Sequence, residues 1–150
     1  MTFIDTAYAV LVPYAGSNTV PNLLKLGDYA VVNPAIAEHF SVDESLEAKI
    51  TIQLLALDGD ALSSEEVWQQ MASCSTRAAT LPELLALGAA YPDLQREAPI
   101  IALHTPMPWL FGARFPFLYR AKTERVVWLS SPFPFKWRGM WRFASVRNRP

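Results

Sequence analysis

The sequence predicts an α+β fold in a single domain, residues 1–150, with a mostly antiparallel sheet, aromatic-faced C-terminal strands and two to four short helices in the first two-thirds. Two observations carry this prediction. The middle of the chain holds two helix starts with paired capping residues. The last quarter alternates aromatic and basic residues with the period of two that a strand requires. With 51% hydrophobic and 18% charged residues, a chain of 150 residues is apolar enough to form a core.

The helices of the middle are predicted from their caps. Ser63 followed by Glu66 fits a capping box, in which each side chain accepts a hydrogen bond from the backbone N–H of the other residue. Thr80 followed by Glu83 fits a second one, and Pro92 prevents this helix from extending further. The predicted helices cover residues 64–73 and 81–91, with shorter helical segments at 20–26 and after Asn33-Pro34.

Strands are predicted where apolar residues alternate with polar ones or run between turn residues. Ala48–Leu57 alternates before the turn-forming Asp58-Gly59-Asp60, and Pro99–His104 is a short apolar run suited to a buried strand. Residues 105–109 then predict a loop held by prolines. The periodicity of residues 3–12 fits either a strand or a helix, and we favour the strand; a short strand is expected at residues 29–32.

The C-terminal quarter predicts three extended segments. In the first, Phe115, Phe117 and Tyr119 share one face while Arg114, Leu118 and Arg120 share the other. The second, residues 125–130, places Trp128 opposite Tyr119 if the hairpin loop has an even length. The third, residues 135–144, has aromatic residues at odd positions and basic residues at most even ones, unless a bulge at Gly139 changes the register.

The charge of the chain is divided unevenly along its length. Residues 1–113 contain four basic and thirteen acidic side chains, whereas residues 114–150 contain nine basic and one acidic side chain. A basic segment of this kind favours an anionic partner. The alternative is that the basic segment packs against the acidic part of its own fold.

The candidate binding residues follow from this charge pattern and lie mostly in the C-terminal quarter. They are Arg114, Arg120, Arg138 and Arg142, with Trp109 of the preceding loop. Arginines contact phosphates and aromatic rings stack on bases, so the pattern favours nucleic acid as one partner class. The period of two argues against a stacking platform, because it places the aromatic and the basic side chains on opposite faces.

The sequence offers one weak catalytic candidate and predicts no metal site or cofactor. His104 ends a predicted buried strand, where α/β enzymes often place a catalytic group, although a histidine hydrogen-bonded at a strand end is commoner. His39 and the single cysteine, Cys74, are not at metal-ligand spacing from it. One cysteine excludes a disulfide within the chain, and we expect Cys74 to be at least half-buried.

Three functions are therefore expected from the sequence. The first is a non-catalytic intracellular binding module that has a protein partner or associates with itself, because eighteen aromatic side chains exceed what a small core needs. The second is nucleic-acid or polyanion binding through the C-terminal arginines. The third is a small enzyme with a site near His104, in which Asp58 is an acidic partner. A cytoplasmic location without membrane contact is expected, because no signal sequence or spanning segment is present.

Overall fold

A computed structural model describes residues 2–13, 19–42, 48–104, 106–109, 112–131 and 136–148, without the side chains of residues 2–5 and of Trp109. The helices are α1 (Val20–Gly27), α2 (Ala35–His39), α3 (Ser64–Ser73), α4 (Leu81–Ala90) and α5 (Leu94–Glu97). The strands are β1 (Thr2–Leu11), β2 (Val31–Val32), β3 (Lys49–Ala56), β4 (Thr76–Ala78), β5 (Ile100–Ile101), β6 (Met107–Trp109), β7 (Gly112–Arg114), β8 (Pro116–Ala121), β9 (Glu124–Leu129) and β10 (Arg142–Arg147).

The main sheet has the strand order β1-β3-β10-β5-β8-β9-β2, with β4 paired to the second half of β10. The pairs β10–β5 and β9–β2 are parallel, and the other described pairs of this sheet are antiparallel. The predicted α+β class is therefore confirmed, with a mixed sheet rather than a purely antiparallel one. A separate ribbon consists of β6 and β7.

Helices cover both faces of this sheet, and alternate residues of each strand face different helices. On β3, Leu54 packs into a cluster with α1 and α4, whereas Leu55 packs into a second cluster with α3. We call these sides the α4 face and the α3 face. All side chains of α4 from Leu81 to Gly88 are buried, because this helix lies between the sheet and α1. No helix in the described part of the chain is long and apolar enough to cross a lipid bilayer.

Both predicted capping boxes are confirmed, and they fix where α3 and α4 begin. Ser63 N donates to Glu66 Oε1 at 3.1 Å, and this bond holds the pKa of the Glu66 carboxyl below its ordinary value. Thr80 N donates to Glu83 Oε1 at 2.8 Å. Arg77 also binds both oxygens of Glu83, at 2.8 and 2.7 Å, so the fully buried carboxylate has a cation and a helix N-terminus to compensate its charge.

The loop predicted over residues 105–109 is wrong over its second half. Met107–Trp109 forms β6, which pairs with β7 in the two-stranded ribbon, while Thr105 lies outside the described residues. Pro108 is opposite Ala113 there. Proline is tolerated in this ribbon because, among the described residues, β6 pairs with β7 alone, so a missing N–H on its other edge breaks no described ladder.

The predicted hairpin is confirmed, but its register differs by two residues. Lys122 and Thr123 alone form the turn, and Ala121 pairs with Glu124. Trp128 is therefore opposite Phe117, and Tyr119 is opposite Val126. Lys122 adopts a left-handed conformation with φ of 57°, which closes the turn in fewer residues than the predicted loop.

The strand predicted over residues 135–144 is wrong as a continuous element, and Phe135 lies outside the described residues. Trp137 forms an isolated bridge with Leu62, and the chain then turns at Gly139 before β10 begins at Arg142. Trp141 N donates to Arg138 O at 3.2 Å and closes this turn. The turn interrupts the period of two on which the predicted separation of aromatic and basic side chains depends.

One buried arginine joins the hairpin to two helices. Arg125 of β9 donates from Nη1 to Gly27 O at 2.6 Å and from Nη2 to Gly88 O at 2.5 Å. Gly27 ends α1 and Gly88 lies in the last turn of α4. Carbonyls at the C-terminal end of a helix carry partial negative charge and lack helical partners. The guanidinium therefore satisfies one carbonyl at each of the two helix ends.

Tyr29 fills the space between the same helices. The Arg125 guanidinium lies 4.6 Å from the centre of its ring, and its hydroxyl donates to Leu85 O at 2.8 Å. Burial raises the pKa of Tyr29, against the opposing effect of Arg125, so the hydroxyl keeps the proton that it donates. A Cβ atom on Gly27 or on Gly88 would lie 2.2 Å from Tyr29, so both positions require glycine. We call Gly27, Tyr29, Gly88 and Arg125 the Arg125 junction.

We predict that Arg125→Met lowers the free energy of unfolding by about 3 kcal/mol, because two charge-assisted hydrogen bonds are lost and two buried carbonyls lose their donor. Urea denaturation measures this loss. Arg120→Met is the matched control, since Arg120 is directly opposite Arg125 in the hairpin but is exposed. The control should change stability by no more than about 0.5 kcal/mol. Equal effects of the two substitutions would contradict the role of the junction.

We predict that Gly88→Ala destabilises the protein by at least about 1 kcal/mol, although alanine normally favours a helix over glycine. The added methyl group would lie 2.2 Å from the Tyr29 hydroxyl and 2.8 Å from a methyl carbon of Leu118. Gly59→Ala serves as the control, because no atom lies within 4 Å of a Cβ built there. Thermal unfolding followed by circular dichroism gives both values. A stabilised Gly88→Ala variant would show that Tyr29 is not held in place.

Candidate ligand cleft

The short strand β5 leaves a cleft between its two neighbours in the sheet. Ile100 pairs with Leu118 of β8 on one side and with Arg142 of β10 on the other. The residues before Ile100 belong to α5 and its connection, so no strand separates β8 from the Gly139 turn there. The resulting cleft has a volume of about 370 Å³. This aromatic cleft, as we call it, is lined by Gln95 of α5, by Phe117, Tyr119 and Arg120 of β8, by Met140 and Trp141 of the turn, and by residues 96–99.

Its walls are aromatic rings that hold one another in place. Phe117 and Tyr119 are stacked, with centres 5.1 Å apart and an angle of 22° between their planes. Trp141 meets Phe117 edge-on at 5.0 Å and meets Trp137 edge-on at 5.0 Å. Trp137 is buried, whereas Phe117, Tyr119 and Trp141 are half-buried. Contacts with neighbouring rings therefore hold Phe117, Tyr119 and Trp141 in place, while part of each ring remains exposed.

The opening of the cleft is apolar and adaptable. Met140 is 63% exposed, which is unusual for an apolar side chain next to three aromatic rings. An unbranched thioether adjusts to irregular surfaces and contacts aromatic groups favourably. Met140 therefore suits a contact with a bound group.

Gln95 adds a polar group with an unused acceptor. Its Nε2 donates to Tyr119 O at 2.9 Å and to Val126 O at 3.3 Å, and the residue is 2% exposed. Its Oε1 is buried and has no hydrogen-bond partner. A buried acceptor without a donor is rare in folded proteins. Oε1 is therefore a buried acceptor without a partner in a residue that lines the cleft.

Three of the four predicted arginines lie at or beside the aromatic cleft. Arg120 is exposed and lines it. Arg138 is exposed, and its carbonyl oxygen accepts from Trp141 N in the Gly139 turn. Arg142 is half-buried and donates to Gly139 O at 3.0 Å, so it stabilises the turn. Within β8, aromatic and basic side chains alternate as predicted. Aromatic and basic residues still lie close together, because α5, β8 and the Gly139 turn all contribute residues to the cleft.

The remaining two predicted binding residues lie outside this group. Arg114 is half-buried and donates from Nε to Ser130 O at 2.9 Å and from Nη2 to Leu129 O at 3.3 Å, which ties β7 to the end of β9. Trp109 is in β6, opposite Gly112. Its side chain is not part of the description, so its role stays a prediction.

Sequence reasoning missed Gln95, Met140 and the neighbouring Arg96 as cleft residues. Gln95 and Arg96 belong to α5, a helix of only four residues without a capping side chain. Such a helix gives no periodic signal. The sequence pattern places Met140 on the basic face of a continuous strand. A prediction of the turn at Gly139 would have been needed to place Met140 in the cleft.

His104, the catalytic candidate, is exposed and lies between two other clefts. One of them, of about 440 Å³, is also lined by His39, so both histidines of the chain meet there. Asp58 is exposed in the turn after β3 and is not part of the lining. Cys74 is exposed at the end of α3, contrary to the burial expected for it, because α3 ends at the surface there. No acidic partner from the described residues lines this histidine cleft.

In the described ranges, no group of three or more histidine, cysteine, aspartate or glutamate side chains is arranged to hold a metal ion. The aromatic cleft is therefore the site with the most unusual combination of features: accessible rings, an unpaired acceptor and nearby guanidinium groups. The fold gives no assignment by comparison, since no protein-family model, no curated protein and no solved structure matches this chain.

Proposed function

We propose that this protein is a binding module and that its ligand occupies the aromatic cleft. One observation carries the proposal: aromatic residues, two arginines and Gln95, whose buried Oε1 has no hydrogen-bond partner, line a single cleft. Binding sites for small groups are typically concave and mostly apolar, with a few converging polar groups. The cleft volume of about 370 Å³ is within the range of such sites.

The rigidity of the cleft supports binding over incidental exposure. Phe117, Tyr119 and Trp141 are held by mutual ring contacts, and Gln95 binds the backbone of β8 and β9. A preorganised site loses little side-chain entropy when a ligand binds. Other exposed apolar side chains, such as Leu11 and Leu26, lie on β1 and α1 and do not line this cleft.

We predict that a ligand of the cleft raises the melting temperature of the wild type by about 5 °C or more at saturating concentration, because it binds only the folded state. Differential scanning fluorimetry with three probes tests this: a single-stranded oligonucleotide, an acidic peptide and a proline-rich peptide. Trp141→Leu should abolish the shift. Trp68→Leu is the matched control, since Trp68 is 37% exposed and lies on α3, outside the cleft.

Two results would reject the cleft as the binding site. One is the absence of a shift with all three probes. The other is an equal shift in the wild type and in Trp141→Leu. Light scattering on the same samples tests whether the partner is a second copy of this chain. Self-association at the cleft is shown if the measured mass rises with protein concentration in the wild type and does not rise in Trp141→Leu.

A small enzyme with a site at the histidine cleft is a second candidate, because His39 and His104 line the same cleft. We predict that His104→Ala changes the free energy of unfolding by no more than about 0.5 kcal/mol, since the side chain is exposed. If the wild type has an enzymatic activity, its loss in folded His104→Ala and its retention in His39→Ala would support a catalytic role for His104. A marked loss of stability in His104→Ala would instead show that the histidine is a structural residue.

A further inference from the structure

We propose that the ligand of the aromatic cleft is single-stranded nucleic acid, with a base against the rings of Tyr119 and Trp141 and the flanking phosphates at Arg120 and Arg138. The proposal rests on the proposed function of this cleft and names its ligand. It depends on three properties of the described residues: accessible ring faces, an unpaired acceptor and cations beside the rings.

The aromatic walls match the flat, apolar face of a base. Tyr119 and Trp141 approach from opposite sides of β5, one on β8 and the other on the turn before β10. Both rings are supported by Phe117, so they present fixed surfaces. Stacking of bases on such rings tolerates every base and contributes to the affinity of single-strand binding proteins.

Gln95 supplies an acceptor that a base can satisfy. Its Oε1 is buried without a donor, while its Nε2 is fixed by two backbone carbonyls, so the amide has little freedom to turn. Cytosine, adenine and guanine carry exocyclic amino groups that donate hydrogen bonds. An amino group of a base that reaches Gln95 pairs this acceptor.

The charges around the cleft fit a chain of phosphates. Arg120 is exposed and lines the cleft, while Arg138 is exposed in the adjoining Gly139 turn. Arg142 donates to the carbonyl oxygens of Gly139 and Trp141. Arg96 also lines the cleft but pairs with Asp93, and Glu97 is the acidic residue of the lining. The charges of the lining and Asp93 balance, so a positive balance for phosphate binding comes from Arg138 and Arg142 of the adjoining turn and strand.

The shape of the cleft favours a single strand over a duplex. Aromatic rings from both neighbours of the short strand β5 line the cleft, and a base can contact them only with a free ring face. In a duplex the bases stack on one another and hide these faces. Single-stranded bases are unstacked easily and can be inserted between aromatic side chains.

The experiment is fluorescence anisotropy with a labelled twelve-nucleotide oligodeoxycytidylate, a duplex of equal length, and a salt titration at neutral pH. We expect the single strand to bind more tightly than the duplex. Arg120→Gln and Arg138→Gln should each reduce the slope of log affinity against log salt concentration by about 0.7, as loss of one phosphate contact on a single strand does. Trp141→Leu should weaken binding about ten-fold at constant salt.

Controls separate the cleft from general charge effects. Arg147→Gln removes an exposed arginine at the far end of β10 and should leave the slope unchanged. Trp68→Leu should keep full affinity. The arginine variants concern exposed side chains and should fold normally, which circular dichroism verifies, so the test remains decisive if Trp141→Leu unfolds.

Three outcomes would overturn the proposal: no binding of the oligonucleotide, equal binding of the duplex, or equal salt slopes for the wild type, Arg120→Gln and Arg138→Gln. These outcomes differ from failure of the proposed function. If a peptide probe raises the melting temperature in a Trp141-dependent manner and the oligonucleotide does not bind, the cleft is a binding site with another ligand. If no probe binds at all, both proposals are wrong.

Discussion

The arrangement of the other elements depends on the hydrogen bonds that the buried guanidinium of Arg125 donates. This group binds the C-terminal carbonyls of α1 and α4 at once, and the Tyr29 ring lies beneath it. The next residue, Val126, offers its carbonyl to Gln95, which also binds Tyr119 on the partner strand. The buried charge therefore binds two helices on the α4 face to β9, while Gln95 independently ties α5 to the backbone of both strands of the hairpin.

Elements with local signals could be predicted from the sequence. The starts of α3 and α4 follow from capping boxes that join residues three apart, and β3 follows from alternation that ends at a turn. The hairpin of β8 and β9 was also expected, although its two-residue turn shifted the register. These features depend on neighbouring residues, so a single sequence contains the information that specifies them.

Features that depend on distant contacts could not be predicted in this way. The bridge between Trp137 and Leu62 competes with extension of the last strand and favours the turn at Gly139. Arg125 resembled any other residue of a basic segment, because its partners Gly27 and Gly88 are remote in sequence. The cleft itself combines α5, β8 and the turn before β10. Of the predicted binding residues with described side chains, only Arg120 lines it. The aromatic side chains were expected on the face opposite the arginines, and their position in the cleft depends on where β5 ends.

The order of the strands has a consequence for synthesis of the protein. β10 lies between β3 on one side and both β4 and β5 on the other, yet it follows all three in the chain. Before β10 is synthesised, β3 can pair with β1 and β5 can pair with β8, but no strand joins these two parts of the sheet. The main sheet can therefore be completed only at the end of synthesis, when β10 becomes available. Contacts between segments so far apart in the chain form slowly.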